Sequence, residues 1–329
     1  MIGYRFSGPM STGKARGVDG DALRHILINC ECMQLGKPSQ TALAAAFHRA
    51  AHQVLEQGRI FADPLALRIL GADARIVASQ AGDNPSARRM RLFIAVRTRF
   101  AEDALAAAFE SGVRQIVVLG AGLGTYAHRN PFGDRLRIFE VDHPSTQAWK
   151  RQRLQDAAIP LPGSLSFVSV DFERETLAER LAAAGFDRTQ ETFFTWLGVV
   201  PYLNLQAIWS TLAFIASLPN GAHVVFDYSD PPASLSRERQ ASHEERARRV
   251  AELGEAWVTY FEAEELHVKL VALGFAEIED LGPAQIVSRY FPSRAGSPPD
   301  KGGHVVRATK KSSSGVEKSK SSRQLATHF

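Results

Sequence analysis

Cysteine is nearly absent from this chain: Cys30 and Cys32 are the only two in 329 residues. They stand too close together for an ordinary disulfide framework, and no second pair exists to complete a zinc site. Both read as plain thiols of a reducing, cytoplasmic setting, and no metal is expected. Long apolar runs are also missing. None approaches the roughly 20 residues that span a bilayer, and the start lacks the charged-then-apolar-then-small pattern of a secretory signal. No membrane partner is expected. The body shows no internal repeat and no basic face with interleaved aromatics, so no specific nucleic-acid partner is expected either. Excess charge is scarce. The net +4 is matched by the end of the chain alone, where Lys310–Phe329 holds five lysines and arginines against one glutamate. That Ser- and Lys-rich stretch, 309–329, has little to bury and reads as a disordered tail. Residues 1–38, aperiodic and of mixed charge, read as a loosely ordered leader.

What remains, 39–308, is long enough for one large domain, and 45% of the whole chain is hydrophobic. Leu43, Ala46, Phe47, Ala50 and Val54 recur at helical spacing behind a Ser39 cap, predicting a helix over Ser39–Gln57. Pro64 suits the first turn of a second helix, and Arg88–Ser111 forms a third helical pattern. Together they predict a helical lid ahead of the first strand. Thereafter short apolar runs alternate with helical patterns. Strands are predicted at Gln115–Leu119, Leu136–Val141, Leu165–Val170, Thr192–Trp196 and Ala222–Tyr228, with two more at Phe275–Leu281 and His304–Ala308. This alternation predicts an α/β fold with a doubly wound, mostly parallel sheet. The charged stretch near 231–254 reads as a helical insertion.

The most informative segment is Gln115–Lys150. A buried-type strand runs straight into Gly120, Gly122 and Gly124, and glycines there let the backbone turn sharply and approach a ligand with no Cβ in the way. The second strand delivers Glu140 and Asp142, 18 and 20 residues past Gly122. Carboxylates at that offset suit the grip of ribose hydroxyls. A nucleoside-binding half-sheet follows, but the loop does not choose the nucleoside. Gly122-Leu-Gly-Thr-Tyr-Ala127 also satisfies the dinucleotide pattern.

Six short stretches in order carry a resemblance: Phe61-Ala-Asp-Pro-Leu-Ala, Arg97-Thr-Arg-Phe, Gln115-Ile-Val-Val-Leu-Gly-Ala-Gly-Leu, Phe139-Glu-Val-Asp-His-Pro, Val170-Asp-Phe and Trp196-Leu-Gly-Val-Val-Pro-Tyr-Leu. With them the chain resembles the bacterial branch of the leucine carboxyl methyltransferase-like family of S-adenosylmethionine-dependent methyltransferases, from about Ser39 to Ala308. The resemblance implies a class I methyltransferase, Rossmann-like sheet with an antiparallel last strand. It implies S-adenosyl-L-methionine as cofactor. It implies that Asp142 holds the ribose diol, with Glu140 beside it, and that Asp171 and Phe172 hold adenine. Arg97 or Arg99 would pair with the cofactor carboxylate, and Gly120, Gly122 and Gly124 would line the methionine part. Tyr202 and His143 are candidates for the substrate pocket. Two positions depart from the family, which often has carboxylates where this chain has Gly124 and Leu197.

The implied reaction is O-methylation of a carboxylate or hydroxyl on a small molecule or peptide end. A carboxylate acceptor is already ionised at neutral pH and needs no base; a hydroxyl needs one. His143 and His128 lie near the motifs, but neither is assigned as a catalytic base. Two alternatives stand beside this reading: a nicotinamide-dependent oxidoreductase using the same loop, and a cofactor-binding module that has lost turnover.

Overall fold

Apolar, β-branched runs that must be covered on both faces need a central place in a sheet, and the strands take such places. The computed structural model describes residues 39–82, 84–171, 174–252, 255–293 and 301–312. The expectations for the leader, for Phe172 and for residues 313–329 lie outside these. Among the described residues four helices precede the first strand: α1 (Gln40–Leu55), α2 (Ala66–Leu70), α3 (Ala74–Ala81) and the long α4 (Pro85–Glu110). The alternating part runs β1 (Gln115–Leu119), α5 (Tyr126–Arg129), β2 (Arg137–Asp142), α6 (Pro144–Asp156), β3 (Leu165–Ser169), α7 (Leu177–Ala183), β4 (Thr192–Trp196), α8 (Leu205–Ala216) and β5 (Ala222–Ser229). It closes with α9 (Arg237–Glu252), α10 (Ala263–Ala272), β6 (Glu277–Leu281), α11 (Pro283–Tyr290) and β7 (Gly303–Lys310).

The seven strands form one sheet in the order β3-β2-β1-β4-β5-β7-β6. All neighbouring pairs from β3 to β5 are parallel, and β7 is antiparallel to both β5 and β6. The chain winds outward from β1 through β2 to β3, then returns to add β4 on the other side. A crevice opens at the carboxyl ends of β1 and β4, where the order reverses, and ligands of open α/β sheets bind at that point.

Each face of the sheet builds its own core. Val117, Phe139, Phe194 and Phe226 pack with Leu181, Leu212 and Leu270 from α7, α8 and α10. Ile116, Ile138, Phe193 and Val225, one residue out of phase, pack with Val96, Phe100, Leu105 and Phe109 of α4. Trp196 belongs to the first core and is not a pocket residue. Helix starts follow local chemistry. The Ser39 side chain accepts from the Ala42 N–H, and Asn84 caps α4 with Pro85 in its first turn. Thr176 and Glu179 form a reciprocal capping box on α7.

Three features depart from expectation. α3 is only eight residues long and buries only Val77 and Ala81, too short a run to show a helical repeat. α11 is cut off from β6 by Gly282 and starts at Pro283, inside what reads as a plain connection. The last strand also runs two residues past Ala308. Thr309 and Lys310 pair with His223 and Ala222, and Lys310 Nζ donates to the carbonyls of Ala216 and Leu218 at the end of α8. The tail therefore cannot begin at 309, and a truncation at Lys310 cuts into β7.

A polar cluster ties the three last strands together. His304 Nδ1 lies 3.0 Å from Asp280 Oδ1, and its Nε2 lies 3.1 Å from Asp230 Oδ2. Tyr228 donates its hydroxyl to Asp280 at 2.5 Å, His267 Nε2 lies 2.8 Å from the same carboxylate, and Lys301 reaches Asp230 and Glu262. Only an imidazolium can donate to two carboxylates at once. Burial disfavours that charge, but Asp280 and Asp230 outweigh it and raise the His304 pKa above its usual value. A raised folded-state pKa stabilises fully below about pH 6.5, and the gain is lost as pH rises through the folded value. His304 should therefore contribute a loss of melting temperature as pH rises above about 6.5, read as the wild-type curve minus that of His304→Gln, because His48, His52, His128 and His243, whose pKa values burial lowers, act in the opposite direction. Thermal denaturation of both proteins between pH 6 and 9 checks it.

Candidate functional site

Leu119 ends β1 and the chain turns at Gly120, whose φ is +65°. A Cβ there would drive into the Val199 side chain. Conformation and space thus both demand glycine. Gly122, φ +47°, directs its N–H to Asp142 Oδ2 at 2.6 Å. The other carboxylate oxygen of Asp142 accepts from the His143 N–H at 2.7 Å. The glycine loop and the end of β2 are therefore fastened through one side chain. Burial raises the Asp142 pKa, and the two backbone donors act against that rise. Gly124 has an ordinary backbone angle, but a Cβ on it would sit 2.8 Å from the Ala121 carbonyl oxygen. A side chain here requires the loop to shift, so this loop is built for glycine.

These groups line a cavity of about 290 Å³ at the switch point of the sheet. Thr41, Ala42 and Arg49 of α1 close one side, and Arg97 and Glu102 of α4 close another. Leu197, Gly198 and Tyr202 come from the segment after β4. Arg97 is the deciding cation. Its Nη1 donates to Asp227 Oδ2 at 2.7 Å, and Asp227 Oδ1 accepts from the Gly198 N–H at 2.6 Å. Its Nε is buried with no hydrogen-bond partner among the described residues. Arg99 is on the outer face of α4, half-exposed, bonded to Asp103 at 2.8 Å. The structure thus separates the two arginines that the sequence left as alternatives.

Tyr202 ends a short 3-10 turn and lines the cavity, and burial pushes its pKa up. Glu140 does not line the cavity. Its carboxylate is 2% exposed and meets Lys150 Nζ at 2.5 Å, so the chain itself consumes its charge. His143 caps α6, its Nδ1 accepting from the Ser145 N–H, and it does not line the cavity. His128 is held by the Pro160 carbonyl at 2.9 Å and also stays outside. Asp171 follows β3 and lies beyond the lining residues, its carboxylate 3.6 Å from Arg174.

Residue patterns missed two of the walls. Arg49 shares α1 with the buried Leu43, Ala46 and Ala50, and donates to the Leu123 carbonyl in the glycine loop at 2.6 Å. Glu255, beyond α9, accepts from the Gln40 N–H at 2.8 Å and from the Ser39 hydroxyl at 3.0 Å, capping α1 from more than 200 positions away. No local spacing could have marked it. Among the described residues no group of three or more His, Cys, Asp or Glu side chains could hold a metal. No described helix is long and apolar enough to cross a membrane.

The model of one family, leucine carboxyl methyltransferase, matches residues 42–216, from α1 through α8. The chain belongs to this family. The match includes the glycine loop, Asp142 and Arg97; Asp227 and Glu255 lie past it. A Bacillus subtilis relative, YktD, is 29% identical over 289 residues, covering 80% of this chain and 94% of its own. A Mycolicibacterium paratuberculosis relative is 31% identical over 227 residues, covering 65% and 74%. Both names place those proteins among S-adenosyl-L-methionine-dependent methyltransferases. A crystal structure from Thermobifida fusca YX, described as a methyltransferase, aligns with TM-score 0.51 at 15% identity, over 85% of this chain and 97% of that one. That last likeness bears on the fold alone, a class I methyltransferase sheet. In this leucine carboxyl methyltransferase family member, Gly124 and Leu197 leave the cavity without two side-chain carboxylates, while Asp142, Glu102 and Glu255 remain on its wall.

Proposed function

We propose that the chain is an S-adenosyl-L-methionine-dependent methyltransferase that methylates oxygen, with a carboxylate on a small molecule or peptide end as the acceptor. One observation carries the reading. One cavity is lined both by Asp142, a carboxylate fastened to the glycine loop, and by Arg97, whose buried Nε has no hydrogen-bond partner among the described residues. The cofactor has a matching pair of demands, a ribose diol and an amino-acid carboxylate. Asp142 holds the diol by charge-assisted hydrogen bonds. Arg97 receives the carboxylate, held in orientation by Asp227. Gly120 and Gly122 let the backbone come close to the methionine part. The adenine role given to Asp171 and Phe172 rests on the family resemblance alone, since Asp171 lies beyond the cavity's lining residues, and Glu140 has no share in the ribose because it is buried against Lys150 away from the cavity.

When bound, the cofactor supplies a methyl group on a positively charged sulfur, which an oxygen nucleophile can take directly. The protein's task is then alignment and exclusion of water. α1 and the loop carrying Glu255 close over the cavity, latched to each other through Ser39 and Gln40. No histidine is among the lining residues. A phenol is already protonated at neutral pH, and burial pushes the Tyr202 pKa further up; Glu102 and Glu255 are engaged by Arg129 and by the start of α1. That leaves no evident general base, which favours an acceptor that is already ionised. Incubation with methyl-labelled cofactor and a panel of carboxylic acids and phenols tests it. A carboxylate product releases its label as volatile methanol in mild alkali. Label that survives alkali on a phenol would sink the carboxylate assignment.

A further inference from the structure

Phe61-Ala-Asp-Pro stands apart from the cavity's lining residues and has no part in the roles given above. Asp63 within it is 1% exposed, an expensive place for a carboxylate unless its hydrogen bonds repay the burial. Thr125, the residue that ends the glycine loop and 2% exposed, donates its hydroxyl to Asp63 Oδ2 at 2.7 Å. Arg49 Nε lies 3.5 Å from the same oxygen, and Arg49 Nη2 reaches back to the Leu123 carbonyl at 2.6 Å. Arg129, just past the loop on α5, places its Nε 3.1 Å from the Thr125 hydroxyl and 3.8 Å from Asp63 Oδ1, and its guanidinium covers the Phe61 ring. Gln53 of α1 fixes the turn itself, accepting from the Asp63 N–H at 2.9 Å and donating to the Phe61 carbonyl at 3.0 Å.

We infer that Asp63 is a positioning residue for the cofactor loop, clamping its Leu123–Thr125 end from outside the cavity while Asp142 clamps its Gly122 end from within. Each clamp is a carboxylate, and each takes a different part of the loop. The loop turns through positive-φ glycines that impose little conformation of their own. Its shape must therefore come from what grips it. The grip at the far end belongs to α1 and the Phe61–Pro64 turn, both N-terminal to the sheet. These segments act as the outer jaw of the cofactor site as well as its cover. As far as it predicts cofactor affinity, the inference rests on the reading above; its claim about the loop does not.

The test uses the full chain and four proteins: wild type, Asp63→Asn, Thr125→Val and Thr125→Ser. Two readouts are taken: titration calorimetry with S-adenosylhomocysteine, and amide hydrogen exchange across 119–126 without ligand. Asp63→Asn and Thr125→Val should each weaken binding about tenfold, the cost of roughly one charged hydrogen bond. Thr125→Ser keeps the hydroxyl and should stay within about twofold. Exchange in 119–126 should quicken in the first two variants while β4 is unaltered. A role in stability alone would lower the melting temperature and leave the affinity and loop exchange of the folded protein unchanged, and that result overturns the inference. If wild type binds no S-adenosylhomocysteine, the cofactor reading fails, and loop exchange by itself still decides for or against the clamp. Should Asp63→Asn not fold, the Thr125 pair carries the same decision.

Discussion

Asp142→Asn should weaken S-adenosylhomocysteine binding roughly tenfold to a hundredfold. The loss of a charged acceptor in a buried site costs about 1–3 kcal/mol, and each 1.4 kcal/mol is a factor of ten. Two effects add here. The ribose loses its charged partner, and the amide cannot serve both backbone donors, since Gly122 and His143 each direct an N–H at one oxygen of Asp142. One of them must then face an NH₂ group. The first effect is specific to the sugar. A 2′,3′-dideoxy analogue should lose little further affinity in Asp142→Asn, because the missing hydroxyls no longer have a lost partner. Asp171→Asn should ignore that sugar change and lose discrimination between adenine and hypoxanthine. Calorimetric titration of both variants with both analogues decides the assignment. Unchanged affinity in Asp142→Asn would remove the ribose role from this residue, and Glu140 could not inherit it while Lys150 holds its carboxylate at 2.5 Å.

Lys150→Met should be strongly destabilising although it lies outside the cavity. Glu140 and Lys150 side chains are each 2% exposed. Removing the cation strands a carboxylate beneath the sheet, and breaking one side of a buried pair typically costs about 3–5 kcal/mol. At roughly 2–4 °C per kcal/mol for a domain of this size, the melting temperature should fall by about 10 °C. Adding Glu140→Gln should recover much of the loss, because the stranded charge is then gone. Differential scanning calorimetry of the single and double variants measures both numbers. A fall of under about 2 °C in Lys150→Met would show that the carboxylate finds water or another partner.

The strands were legible because each is a short apolar run closed by turn residues, and burial on both faces leaves them little freedom of pattern. Gln115–Leu119 and Thr192–Trp196 fall where their patterns place them. β7 ran on to Lys310 because pairing with β5 and capping of α8 are long-range effects invisible in a Ser- and Lys-rich context. α3 and α11 escaped because each is only eight residues long and buries only two, too few to show a helical repeat. At the site, glycines and the end-of-strand carboxylate were readable as local motifs. Glu140 and Asp142 leave β2 on the same side two residues apart, so spacing could not tell them apart. What separates them is Lys150, ten residues later on α6, which takes only the first. Arg97 and Arg99 were likewise equivalent until the 3.6-residue turn of α4 put one against Asp227 and the other against Asp103. Arg49, Asp63 and Glu255 act by contacts across long stretches of chain, which no window of sequence contains.

The cavity at the β1–β4 switch point, lined by Asp142 and Arg97, is the site proposed to take S-adenosyl-L-methionine. Isothermal titration of the full chain with S-adenosylmethionine, S-adenosylhomocysteine, NAD and NADP, repeated on Arg97→Met, tests it most directly. Saturable one-to-one binding of the first two ligands is expected, with no measurable heat from the nicotinamide dinucleotides and at least tenfold weaker binding of S-adenosylhomocysteine by the variant. Saturable NAD binding with no response to S-adenosylmethionine would contradict it.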